Sequence, residues 1–320
     1  MSEFVVHGGT LALAWFLLVN LVTSAVLAVG AGWILRRSTG TDSAAVWFAV
    51  RVLPAATALL FVVVVFVPSY WKYEPRDFVE GFDVTLTALA LGAAALLVTA
   101  IARGVSAWRG AVRRTRVWMQ SARPIAIAGT AIPVSEIDID TPLMALVGVL
   151  RPRLLVTRGL VAALTDEELA ASIAHEVGHS RARDNLTRLL MRATPDLLTA
   201  TPAARAIERR WASAAEHRAD RMAAHDGPVA RCALASALVK VARLTPAMTP
   251  LAEPISTLID GGEIASRVER LLTDATPSAG RRSALGWTAL AGGAAATAVV
   301  YAPALRFVHS VTELLVRSLP

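Results

Sequence analysis

The chain has 320 residues, 55% of them hydrophobic, and a mean hydropathy of +0.52; it is too apolar for one ordinary soluble domain and too long for a simple anchor. Its formal charge of +7 is carried almost wholly by arginine, with Lys72 and Lys240 the only lysines, and the arginines cluster beside hydrophobic stretches, which points to a membrane face and away from direct nucleic-acid binding. Cys232 is the only cysteine, so an intrachain disulfide is excluded.

In chain order, residues 10–35 carry no charge and exceed the roughly 20 residues that cross a hydrocarbon core as helix; this is the first span. The preceding MSEFVVHGG lacks Lys and Arg, and the apolar run is too long for the core of a signal peptide. Residues 44–68 read as a second span, with Arg51 near its start free to snorkel and Pro54 the expected kink, and residues 84–102 as a third. A fourth, at 284–308, is rich in Ala and Gly and suited to close helix packing. Arg36 and Arg37, the group Arg103, Arg109, Arg113, Arg114, Arg116 and Arg123, and the pair Arg281 and Arg282 should all face the cytoplasm. The sequence thus divides into a three-span membrane region (1–103), a cytoplasmic block (104–283), and a fourth span with a short outer tail (284–320). The expected location is the cell membrane, inner or plasma, with the N-terminus outside.

The cytoplasmic block opens with the short apolar runs PIAIAG and EIDID, then ALVGV and RLLVT flanking LRP, which reads as a hairpin. Next comes TDEELAASIAHEVGH. Thr165 is a good N-cap and Glu168 completes a capping box, with Asp166 and Glu167 in the first turn, so this stretch starts a helix. Pro195 and Pro202 bracket a break, two further helices follow, residues 245–262 read as a long loop, and EIASRVERLL is a last short helix.

His175 and His179 are i and i+4 on that first helix, so both imidazoles project from one face and reach one ion. Glu176 is offset by about 100°, beside the ion, where it suits a general base acting on polarised water. Catalytic zinc usually takes three protein ligands, so a third is needed. The metzincin pattern requires Gly at 182 and His at 185, where this chain has Ala182 and Asn185, and is excluded. The gluzincin pattern takes a Glu from a later helix, and AAEHRAD supplies Glu216, with Asp220 one turn on and able to accept the second ring N–H of a ligand histidine. His217 and His225 are the rival ligands.

GVLRPRLLVTRGLVAALTDEELAASIAHEVGHSRARDN, followed by AAEHRADRMAA, resembles the BlaR/MecR-type integral-membrane zinc metallopeptidases; HtpX-type and CAAX-prenyl-type gluzincins share the H-E-x-x-H and E-x-x-x-D pattern. The continuation Arg183, Asp184, Asn185 and the RPRLLVT-RGL lead-in favour the first group. The resemblance implies a mainly α fold: a four-span helical membrane protein with a cytoplasmic gluzincin-like α+β zinc protease domain bearing a small β-sheet. It implies one Zn²⁺ held by His175, His179 and Glu216, with Glu176 the catalytic base and Asp220 behind the ligands. Arg153, Leu154, Leu155, Val156 and Thr157 would be the edge strand on which a peptide substrate lies extended. The antibiotic receptors of that family carry an outer penicillin-binding sensor after the last span, which this sequence lacks up to Pro320, so a β-lactam-sensing role is not expected. The function implied is regulatory proteolysis of a repressor-like partner on the cytoplasmic side. The alternatives are an HtpX-type quality-control protease and a non-catalytic signalling or scaffold protein with a structural zinc site. Whether the protein works as a homo-oligomer stays open.

Overall fold

The computed structural model describes residues 2–37, 43–75, 83–127, 130, 132–244, 256–257, 264–273 and 303–316. It is mainly helical. In hydrocarbon every backbone N–H must be satisfied within its own segment, and three apolar stretches accordingly form helices long enough to cross a membrane. Helix α1 covers Ser2–Arg37; α2 (Ala44–Leu60) runs through a wider π-type turn at Phe61–Phe66 into α3 (Val67–Tyr73); α4 covers Val84–Gln120. Pro54 is carried inside α2, and the helix widens instead ahead of Pro68, whose ring has no N–H to donate and crowds the preceding turn. Helix α4 does not stop at residue 102. It carries Arg103, Arg109, Arg113, Arg114 and Arg116 on an unbroken extension whose end, at Trp118 and Met119, reaches the sheet.

The sheet is mixed, with strands β1 (Ala122–Ile125), β2 (Val134–Ile137), β3 (Met144–Val147), β4 (Arg153–Thr157) and β5 (Ser256–Thr257) in the order β1-β2-β4-β3-β5. Side chains alternate across it. Met144, Leu154 and Val156 face the helical core, while Ala145, Val147 and Leu155 face Trp118 and Met119 of α4. The expected edge position of Arg153–Thr157 is not observed. Its hairpin with β3 pairs it antiparallel on one side and the connection from β2 lays it parallel on the other, so both sides of β4 are taken. No added strand can pair there.

Among the described residues of the block six further α-helices follow: α5 (Arg158–Ala163), α6 (Asp166–Ala182), α7 (Asp184–Ala193), α8 (Pro202–Ala223), α9 (Pro228–Leu244) and α10 (Ile264–Thr273). One face of α8, with Ala204, Ile207, Trp211 and Ala215, packs on Leu27 and Ala31 of α1 and on Trp47 of α2. The contacts with the spans are polar as well. Arg51 does not snorkel: it is 1% exposed and bonds Asp196 and Glu208, each at 2.8 Å, and the Thr199 hydroxyl at 2.8 Å. Asn20, in the middle of α1, donates to the Pro195 carbonyl and accepts from the Leu197 N–H. The link between α7 and α8 is thereby inserted among the spans, because a buried Arg and a buried Asn require partners that lipid does not offer.

Of the expected fourth span, residues 284–302 lie outside the described residues, as does most of the expected 245–262 loop apart from β5. Residues 303–316 form a helix, α11, that continues past the expected end at 308. Val308 packs with Leu11, Phe66, Tyr70 and Leu86, the Ser69 hydroxyl donates to the Leu305 carbonyl, and the Trp15 indole N–H donates to the Thr312 hydroxyl.

Candidate metal centre

The centre is framed by α6, α7, α8 and α10. Helix α6 begins at a full capping box: the Thr165 hydroxyl accepts from the Glu168 N–H and the Glu168 carboxylate accepts from the Thr165 N–H. The same carboxylate also takes hydrogen bonds from Ser236 and Lys240 of α9, which fixes the start of α6 against its neighbour. Further along, Gly178 lets α6 and α8 approach closely. A Cβ there would lie 3.1 Å from the Ala219 Cα, so a side chain would push apart the two helices that carry the ligands. Helix α6 ends at Arg183, a non-glycine residue with φ of 56°, and this left-handed turn returns the chain so that Asp184 lies behind His179.

His175, Glu176 and His179 are each 0% exposed and Glu216 is 1% exposed. The Nε2 atoms of His175 and His179 lie 3.1 Å apart, and each lies 3.4 Å from a Glu216 carboxylate oxygen. Behind them, His179 Nδ1 is 2.7 Å from Asp184 and His175 Nδ1 is 3.0 Å from Asp220. A carboxylate at Nδ1 fixes the ring proton there, leaving both Nε2 lone pairs aimed at one point. At 3.1 Å the two nitrogens need a shared proton or a cation between them. A tetrahedral ion with bonds of 2.0–2.1 Å needs ligand separations of about 3.4 Å. The two contacts to Glu216 already match and the two rings need part only by a few tenths of an ångström, so the three groups form a candidate metal-ligand set.

The electrostatics agree with that fit. Burial opposes charge on the His175 ring, yet Asp220 and Glu216 outweigh it and raise the ring to about 9, as expected of a pocket built around positive charge. Burial also disfavours charge on Glu216 and Asp220, but Arg267 and the histidines hold both carboxylates below their ordinary range. Arg267 is 1% exposed, meets Glu216 at 3.0 Å and bonds both Asp220 oxygens, so it orients the ligand carboxylate and the one behind His175 together. Arg218 bonds both oxygens of Asp184 in the same way. Glu176 differs: burial pushes its carboxyl up, and among the described residues neither of its oxygens has a hydrogen-bond partner. A buried carboxyl of raised pKa beside a metal set is equipped to accept and return a proton.

A cleft of about 460 Å³ opens onto His179, lined by Leu146, Gly148, Leu150 and Pro152 on one side and Arg183 and Asn185 on the other. Asn185 donates to the carbonyls of Leu146 and Gly148, which ties the end of β3 to the start of α7. Gly148, at φ of 88°, makes the tight turn that forms the wall. The surface beside the centre is thus the end of β3 and its turn, while Arg153 to Thr157 sit one strand further in. Of the rival ligands, His217 is half-buried and His225 is exposed; neither joins the cluster. The sequence reading missed Arg267, Arg218 and the place of Asp184 behind His179. Asp184 had a sequence signal, five residues after His179, but Arg267 comes from α10, and nothing local marks it.

No curated protein matches the chain. Residues 140–257, which hold β3 to β5, the metal-ligand set and Glu176, match the model of peptidase family M48, so this part of the chain is similar to metallopeptidases and stands beside three helices long enough to cross a membrane.

Proposed function

We propose that the protein is an integral-membrane zinc endopeptidase in which His175, His179 and Glu216 hold the ion, Glu176 is the general base, and Asp220 positions the His175 ring. One observation carries this reading: two Nε2 atoms 3.1 Å apart, each backed by a carboxylate, face a third carboxylate at 3.4 Å. Two imidazoles and a carboxylate make a borderline donor set suited to Zn²⁺. When bound, the ion supplies Lewis acidity, enough to bring the pKa of a water to about 7 and to polarise a scissile carbonyl. Glu176 takes the proton of the attacking water and delivers it to the leaving amine nitrogen, which its raised pKa favours. The substrate chain enters by the cleft at Leu146 to Pro152, where it reaches His179.

Arg36, Arg37 and the arginines on the extension of α4 support a cytoplasmic placement of this site, in the cell membrane. The continuation Arg183, Asp184, Asn185 and the RPRLLVT-RGL lead-in support regulatory cleavage of a repressor-like protein, on their resemblance to the BlaR/MecR-type enzymes.

The test uses the full-length protein in detergent with an unfolded protein as substrate. Chelation abolishes cleavage, Zn²⁺ restores it, and Glu176→Gln keeps the metal content of the wild type while losing turnover. Cleavage by Glu176→Gln sinks the assignment of the base, and cleavage indifferent to chelation sinks the metallopeptidase reading. The same inactive variant, cross-linked in cells, traps the substrate. A DNA-binding repressor supports the regulatory role, and a range of unfolded membrane proteins replaces it with quality control.

A further inference from the structure

A second group of metal-ligating side chains lies at the far end of the helical bundle. Glu74 caps α3, and His309 and Glu313 stand i and i+4 on one face of α11, the spacing by which His175 and His179 share a face of α6. One ligand atom from each of the three lies within 4.8 Å of the others, and His309 Nδ1 is 3.7 Å from a Glu74 oxygen. All three are half-buried, which leaves a route for an ion to enter and leave. Arg306 and Lys72 are both engaged by Tyr73, through its hydroxyl and its ring. The Tyr73 ring packs beside His309, with centroids 5.7 Å apart, and limits where the imidazole can swing.

The elements that carry these ligands are already held together. Ser69 of α3 donates to the Leu305 carbonyl, Trp15 donates to Thr312, and Val308 sits in a core with Phe66 and Tyr70. The three side chains are thus anchored by packing that does not depend on an ion. Only a small rotation is needed to bring ligand atoms within 4.8 Å to the separations of about 3.4 Å that a tetrahedral ion requires. One imidazole and two carboxylates favour a divalent transition ion of the zinc type over Mg²⁺ or Ca²⁺, which prefer all-oxygen sites. The helix from α2 through α3 also separates the second group from the contact between the spans and α8. Arg51, bonded to Glu208 of α8, and Glu74 are separated by 23 residues, about 34 Å of helix rise.

We infer that Glu74, His309 and Glu313 form a second, exchangeable site for a zinc-type divalent ion, which on binding clips α11 to the end of α3. The site does not depend on the peptidase reading.

The experiment uses the full-length protein in detergent and Zn²⁺ alone, counting bound ions after equilibrium dialysis and following amide exchange of residues 303–316. The wild type holds two ions per chain. His309→Ala and the near-isosteric Glu313→Gln each hold one, and so does His179→Ala, which retains the second site. With free Zn²⁺ at ten times its dissociation constant, exchange across 303–316 slows about tenfold in the wild type and in His179→Ala, but not in His309→Ala or Glu313→Gln. A wild type holding one ion that His179→Ala loses entirely overturns the site and leaves the peptidase reading standing. Zinc protection of 303–316 that survives both His309→Ala and Glu313→Gln also overturns it.

Discussion

The two clusters use the same chemistry in different settings. Each pairs an i, i+4 couple on one helix with a glutamate from another, but His175, His179 and Glu216 are sealed apart from the cleft at His179, whereas Glu74, His309 and Glu313 are half-buried. The sealed cluster is held from behind. Asp184, Asp220, Arg218 and Arg267 fix ring tautomers and carboxylate orientation, and a glutamate of raised pKa stands beside it. Beside the half-buried cluster stands the ring of Tyr73, packed on the His309 imidazole. The same two kinds of ligand, in inverted ratio, therefore suit the proposed resident ion in one place and the proposed exchangeable ion in the other, and the supporting shell adds to the difference.

The largest expected effect comes from emptying the sealed cluster. His179→Ala removes one ion and lowers turnover by about 10³-fold or more, whereas Glu176→Gln costs a comparable factor with its metal content intact; parallel metal counts and rate measurements separate the two. Next is the connection between spans and centre. Arg51→Met leaves Asp196 buried at 0% exposure without its cation, and should cost about 3–5 kcal/mol in thermal or denaturant unfolding of the detergent-solubilised protein. An unchanged unfolding midpoint would show that the spans do not brace α8.

Weakening only the support should make the sealed cluster behave like the open one. Asp184→Asn and Asp220→Asn are expected to lower its affinity for Zn²⁺ by about 10–100-fold, measured by competition with a chromogenic chelator. Equal affinity in these variants and the wild type would remove the supporting shell as the explanation. The smallest effect belongs to the frame. Glu168→Ala opens the capping box of α6 and should cost about 1 kcal/mol. Burial works against the charge on Glu168, but Lys240, Ser236 and the Thr165 N–H depress its pKa below the ordinary 4.5. A depressed acid stabilises the fold above its unfolded pKa and loses that contribution as pH falls through the folded value, so the gap between wild type and Glu168→Ala should narrow on acidification below the ordinary 4.5.

Much of this architecture is legible residue by residue. The uncharged run 10–35 has to be helical in a bilayer, Thr165 and Glu168 state where α6 starts, and the i, i+4 histidines state which face it presents. The hairpin around Arg151 and Pro152 was readable from two β-rich runs flanking a turn. Other features misled because they depend on neighbours distant in sequence. Arg51 looked like a snorkelling residue because nothing nearby in sequence announces Asp196 or Glu208. The run 153–157 was expected at an edge from the family resemblance, and its apolar pattern could not correct this, because it is the same whether one side or both sides of a strand are paired.

The sequence by itself determined three apolar helices, the capped start of α6, and the residue types that could bind a metal, because helix length, capping and side-chain periodicity are local properties of the chain. Only the tertiary structure decided that Glu216 meets the two histidines at 3.4 Å, that Arg267 and Asp184 hold the set in place, and that Glu74 lies beside α11. Apart from Asp184, five residues after His179, those contacts join elements tens to hundreds of residues apart, and their geometry is fixed by how α6, α8, α10 and the spans pack, as where Gly178 lets α6 approach Ala219 of α8.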